Sequence, residues 1–144
     1  MSATFVTATP DKTIEEAAQL MRLNHVGDLL VVDRASGRRL LHGILTDRDI
    51  VVAVVAMKLD PASLTVGDVM SARPETVEEH QGILETIQRM RSAGIRRMPV
   101  VSRHGALIGI VSVDDLIQLL AEEMGELAKL ISREQHIESH ARAS

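Results

Sequence analysis

Gly43-Ile44-Leu45-Thr46-Asp47-Arg48-Asp49-Ile50 and Gly109-Ile110-Val111-Ser112-Val113-Asp114-Asp115-Leu116 decide the fold, because each is a short apolar strand that breaks into a helix at a hydroxyl residue. The same pattern occurring twice points to an internal repeat. Working upstream, each copy is preceded by a polar turn, Asp33 to Arg39 or Ser102 to Gly105, and by an apolar run, Leu29-Leu30-Val31-Val32 or Met98-Pro99-Val100-Val101. Further upstream, apolar residues three and four apart predict a helix in each half: Ile14, Ala17, Ala18 and Met21, then Ile83, Ile87 and Met90. Each half opens on a short extended stretch, Val6-Thr7-Ala8 or Glu75-Thr76-Val77.

Each half therefore reads β-α-β-β-α, with the second turn shorter. The two apolar strands joined by a tight turn should pair antiparallel, with both helices on one face of the sheet. One such half is too small to close a good core alone, so the halves are expected to pack on each other about a pseudo-twofold axis. The fold class is α/β of the α+β type. The expected divisions are a first repeat over 1–57, a linker over 58–69 whose Lys58 to Thr65 stretch, with Asp60-Pro61, reads as a loop, a second repeat over 70–122, and a C-terminal helix and polar tail over 123–144. The helix after the first motif is expected to run on from Val51 to Met57.

Composition narrows the function classes. The 144 residues carry a net charge of −4, 45% hydrophobic residues, one Phe, and no Trp, Tyr or Cys. An acidic chain with no stacking platform is a poor match to nucleic acid. No apolar run is long enough for a membrane helix, and no secretory signal pattern opens the chain, so a cytoplasmic location is expected. There is no thiolate nucleophile, Gly-x-Ser-x-Gly elbow, P-loop or dinucleotide fingerprint, which argues against an enzyme. His136 and His140 are four apart but lack further ligands beyond Glu134 and Glu138, so no metal site is expected. His25 and His104 are expected at turns, and His80 at the surface.

The doubled Gly-x-x-[Thr/Ser]-x-x-Asp motif, the Pro99-Val100-Val101 strand and the connecting Val66-Gly67-Asp68-Val69-Met70 resemble a tandem pair of CBS domains, the modules named after cystathionine β-synthase. The resemblance runs from about Thr4 to Leu120. It implies a regulatory module that binds AMP, ADP, ATP or a related adenosyl ligand between the repeats, that needs no other cofactor, and that often dimerises. It further implies that the ribose acid of one repeat is joined by strand residues of the other. One cleft would then combine Thr46, Arg48 and Asp49 with Thr76, Ile95, Arg96, Arg97, Met98 and Pro99. The other would combine Ser112, Asp115 and Ile110 with Thr7, Val26, Gly27 and Asp28.

The chemistry of these residues supports two readings. Thr46 and Ser112 suit helix N-caps, with Asp49 and Asp115 as first-turn acids favoured by the helix dipole. Asp49 and Asp115 also suit ribose hydroxyls, since a carboxylate offers only acceptors. Arg96 and Arg97 suit phosphate oxygens, whereas Asp28 would repel them, so the first cleft should bind a charged nucleotide better than the second. Adenine would have to rest on aliphatic residues such as Ile44, Ile110, Val26 and Ile95.

Beyond the second repeat, Ile117, Leu120, Met124, Leu127 and Ile131 form a narrow apolar seam suited to a homodimer, with fraying expected from about Ser132. The leading expectation is a nucleotide-sensing module that signals to a separate effector protein. The alternative is a structural or stress-associated interaction protein with weak or vestigial clefts.

Overall fold

A computed structural model describes the backbone of residues 5–34 and 38–143, and side chains as far as Ile137. The expected turn at Asp33 to Arg39 lies partly outside the described residues, at 35–37, and so does the His140 side chain. The first repeat contains β1 (Thr7–Ala8), α1 (Ile14–Asn24), β2 (Asp28–Asp33), β3 (Leu40–Thr46) and α2 (Asp47–Ile50). The connection contains α3 (Val66–Val69) and β4 (Ser71–Ala72). The second repeat contains β5 (Val77–Glu78), α4 (Ile83–Ala93), β6 (Arg97–Val101), β7 (Leu107–Ser112) and α5 (Val113–Ala143).

In each repeat the first strand runs parallel to the second, and the second and third pair antiparallel. The β-α-β-β-α reading therefore holds in both halves. The second extended stretch is shifted by one residue from its expected position, to Val77–Glu78.

The central strands are buried on both faces, which is why they read as unbroken apolar runs. Leu29 and Val31 point with Leu45 toward the helix side, where Ile14, Ala17, Met21 and Val54 complete a core. Leu30 and Val32 point the other way and meet Leu107 of the second repeat, with Phe5, Leu41 and Ile44 packed around them. The period-2 alternation of β2 thus assigns one face to its own helices and the other to its sister repeat. Backbone bonds reinforce the junction: the Leu41 amide donates to the Gly105 carbonyl (3.2 Å), and the Leu107 amide to Arg39 (2.8 Å). Of the residues expected on the helix faces, Ala18 is exposed instead, while Thr86 is buried with its hydroxyl bonded to the Gly82 carbonyl at 2.8 Å.

Three further features differ from the sequence expectation. First, the helix after the first motif is not α-helical to Met57. It changes at Val51–Val55 into a π-turn in which the Ala56 amide reaches the Val51 carbonyl. A run of β-branched valines crowds the tighter α turn.

Second, the stretch from Lys58 to Thr65 forms neither helix nor strand, but backbone bonds tie it down and the segment after it is structured. The amides of Ile14, Glu15, Val66 and Gly67 bond to the carbonyls of Leu64, Pro61, Lys12 and Pro10, and β4 pairs antiparallel with β3 to complete a four-stranded first sheet. Val66, buried completely, belongs to the first repeat's core. Third, α5 does not fray at Ser132 but continues as helix to Ala143.

Candidate functional site

Thr46 and Ser112 stand at equivalent strand-to-helix junctions. The Asp49 amide donates to Thr46 Oγ1 (3.1 Å) while the Thr46 amide donates to Asp49 Oδ2 (2.9 Å). The second motif repeats this reciprocal capping box: the Asp115 amide donates to Ser112 Oγ (3.1 Å), and the Ser112 amide to Asp115 Oδ2 (2.9 Å). Each box satisfies donors that a helix start leaves open. The helix-capping reading of the motif is therefore correct.

The same geometry recurs at Thr65 and Asp68, which cap α3 with bonds of 3.3 and 3.0 Å. Capping alone thus does not mark a ligand site. The difference is exposure: Asp49 and Asp115 are partly buried, whereas Asp68 is exposed. In both partly buried boxes Oδ2 holds the backbone, and Oδ1 accepts no bond among the described residues.

The Ser112 amide, seconded by its hydroxyl and the nearby positive charge of Arg97, lowers the Asp115 carboxyl below the ordinary aspartate value of 3.8, against the opposing effect of burial. A depressed carboxyl contributes stability above its unfolded value and loses it as pH falls through the folded one. Unfolding at stepped pH should accordingly show stability declining below about 3.8. Asp115→Asn should make that acid limb shallower without abolishing it, since the carboxyls of Asp11, Glu16 and Asp68 are lowered too; an unchanged limb would mean the box carries no linkage.

The strand register places the remaining candidates. Asp28 pairs with Thr46 and Arg97 with Ser112, so each lies beside the motif of its own repeat. The Asp47 amide reaches the Gly27 carbonyl (2.9 Å), and the Val113 amide the Arg96 carbonyl (2.9 Å). Between the repeats, Arg97 Nη1 donates to both Asp28 oxygens, at 2.8 and 3.1 Å. Asp28 and Arg97 occupy equivalent positions in the two repeats, so this ion pair joins them where the repeats face each other.

The sequence sets Arg97 in one cleft and Asp28 in the other, and the structure adds that the two side chains meet. The two neutralise each other, so Asp28 is not a bare repulsive charge and Arg97 is not a bare phosphate donor. The signal was available, since residues related by a pseudo-twofold axis can meet across it and here have opposite charge.

The other candidates are spread around this centre. Arg48 and Arg96 are exposed, while Met98, Pro99 and Ile110 are buried in their strands. Thr7 is paired with Leu30 in β1. The Thr76 carbonyl accepts from Arg89 Nη1 at 2.9 Å, tying that loop to α4. Ile95 lines a 390 Å³ apolar groove between α4 and α5, with Met90, Gly94 and Leu116. It packs against the second repeat's own core, beside Ile83, Ile87 and Val113.

His25 ends α1 in the left-handed conformation and His104 sits in a turn, as expected. His80 is at the surface, 3.2 Å from Glu78. No group of His, Cys, Asp or Glu among the described residues has the arrangement to hold a metal ion. No helix among them is long and apolar enough to cross a membrane.

Comparison with known proteins agrees with this architecture. The CBS domain family model matches residues 1–56 and 66–122. The chain is 36% identical over 114 residues to protein MK0525 of Methanopyrus kandleri, covering 79% of this chain and 57% of that one. It is 34% identical over 136 residues to the CBS domain-containing protein YhcV of Bacillus subtilis, covering 93% of each. Among solved structures, the cytosolic domain of the Mg²⁺ channel MgtE in complex with ATP superposes with a TM-score of 0.69 at 28% identity, over 83% of this chain and 46% of that one. With two matched repeats, each folded as β-α-β-β-α around a doubled capping motif, the chain belongs to the CBS-domain family as a tandem pair.

Proposed function

We propose that this tandem pair is a non-catalytic sensor that binds AMP, ADP, ATP or a related adenosyl ligand between its repeats and, as a cytoplasmic homodimer, passes occupancy to a separate effector protein. One observation carries the reading: two half-buried carboxylates, Asp49 and Asp115, are each held by one oxygen in a capping box while the other oxygen is left as an acceptor. A ribose diol needs such acceptors, pre-oriented by rigid elements. The likeness to a domain solved with ATP supports the ligand class.

Arg96 and Arg48 are exposed and supply cationic partners for phosphate. Arg97 joins them once a phosphate competes it away from Asp28. The cleft built on Thr46 and Asp49 is the stronger one. The cleft built on Ser112 and Asp115 is the weaker.

The first test exploits the absence of Trp and Tyr. Absorbance near 260 nm in nucleic-acid-free protein would report bound nucleotide directly, and mass spectrometry of an acid extract would identify it. In titrations with AMP, ADP and ATP, Asp49→Ala is expected to weaken binding about 10- to 100-fold, because a hydrogen bond to a charged group is worth roughly 1.5–3 kcal/mol. Asp115→Ala should cost less. Equal affinity in the two variants would contradict the unequal clefts.

The interaction-protein reading draws on the Asp28–Arg97 ion pair, which already occupies the charges a phosphate would use. No extracted nucleotide, together with no thermal shift by any of the three nucleotides, would favour it.

A further inference from the structure

The second half of α5 has no counterpart in the first repeat. At 31 residues, α5 is about 46 Å long. Every described residue from Leu120 to Ile137 is exposed, including Leu120 (39%), Met124 (69%), Leu127 (61%) and Ile131 (56%). An amphipathic helix with nothing along its apolar stripe is marginal in water, since packing of that stripe supplies most helical stability. The stripe therefore calls for an occupant.

Heptad spacing assigns Ile117, Met124 and Ile131 to the first core position, and Leu120, Leu127 and Glu134 to the second. A parallel, in-register pair of α5 helices would set Glu134 directly against Glu134. An antiparallel pair instead layers Met124 on Leu127, Leu120 on Ile131, and Ile117 beside Glu134. Ala121 and Ala128 fall on one flank of this seam, where small side chains allow close approach of the helices.

Charge gives the same orientation. From Asp114 to Glu126 the helix carries acidic residues and neither Lys nor Arg, whereas its distal part adds Lys129 and Arg133 next to Glu134 and Glu138. Antiparallel packing in this register brings Lys129 of one helix level with Glu122 of the other, whereas parallel packing sets Lys129 against Lys129.

The groove between α4 and α5 completes the match. Ile117 and Leu120 line it together with exposed Arg91. In the antiparallel register the second copy's Glu134 arrives at Ile117, within the groove that Arg91 borders, and its Ile137 arrives beside Leu116.

We propose that two copies of this chain associate through an antiparallel α5–α5 seam, with the distal end of each α5 seated in the α4–α5 groove of the other copy. This deepens the homodimer part of the proposed function by naming its surface and orientation, and it is independent of nucleotide binding.

Light scattering with refractive-index detection on the full chain is expected to give twice 15.7 kDa. Leu127→Glu should halve that mass while leaving thermal unfolding of the repeats in place, because Leu127 lies outside both repeat cores. A wild-type monomer would overturn the proposal. A Leu127→Glu variant that remains a dimer would preserve the homodimer but overturn this surface.

Orientation is read by oxidative cross-linking, which is clean in a chain without Cys. Leu120→Cys mixed with Ile131→Cys should form a disulfide-linked dimer, and neither variant should do so alone. Self-linking of Leu120→Cys would show a parallel seam and overturn the antiparallel one. Arg91→Glu should weaken dimerisation severalfold, and adding Glu134→Arg should restore it; failure of that restoration would remove the groove from the interface.

Discussion

Gly43→Val is expected to unfold the first sheet's edge and lower stability by about 3–5 kcal/mol, combining overpacking with lost ladder bonds. A Cβ at Gly43 would stand 2.7 Å from the Ser71 carbonyl oxygen and 2.7 Å from Met70 Sδ. The sulfur can swing aside, but the carbonyl is backbone and belongs to β4, which pairs with β3 through Gly43 and Ile44. The strand must therefore move away, and the Val66–Met70 segment behind it is packed against the first core. The motif's glycine is thus required by a close chain approach from the connection between repeats. Denaturant unfolding followed by circular dichroism checks the expectation. Gly82→Ala is the control, since nothing lies within 4 Å of its Cβ position. An equal, small change in both variants would show that β4 is not held against β3.

Leu45→Ala should cost about 3–5 kcal/mol, the range for a buried leucine whose site cannot collapse. Leu45 is fully buried between the strands and helices of the first repeat, among Leu29, Val31, Ile14 and Val54. It sits one residue before Thr46, so its packing also fixes the junction at which the capping box begins. Against a typical total of about 5–15 kcal/mol, such a loss removes a large share of the stability. The midpoint of chemical denaturation should fall accordingly. Leu127→Ala, on the exposed surface of α5, is the contrast and should leave the repeats' own unfolding nearly unchanged. Comparable losses at both positions would mean that α5 and the repeat cores unfold as one unit.

Much of the fold could be read from residue order because its signals are local. Hydroxyl and carboxyl residues three apart closed capping boxes at 46 and 49, and at 112 and 115, as chain geometry requires. Continuous apolar runs became strands buried on both faces. The period-3.6 patterns became α1 and α4, although Ala18 shows that an apolar residue on a helix can still face water.

Other features depended on contacts that spacing does not encode. The π-turn at Val51–Val55 reflects crowding along one short segment. Ser71–Ala72, expected at the start of the second repeat, could not be read as a fourth strand of the first sheet, because it becomes one only by meeting β3. At the candidate site, sequence named the aspartates and arginines, but not that Asp28 and Arg97 meet between the repeats.

By itself, then, the sequence determined two β-α-β-β-α repeats, their capped junctions and their family, because each follows from neighbours a few residues apart. Only the tertiary structure decided that Asp28 and Arg97 form one ion pair, that the connection completes the first sheet, and that the apolar stripe of α5 stays uncovered by its own chain. Those outcomes turn on distances between segments far apart in sequence, where a single register or rotation changes which charges and apolar surfaces meet.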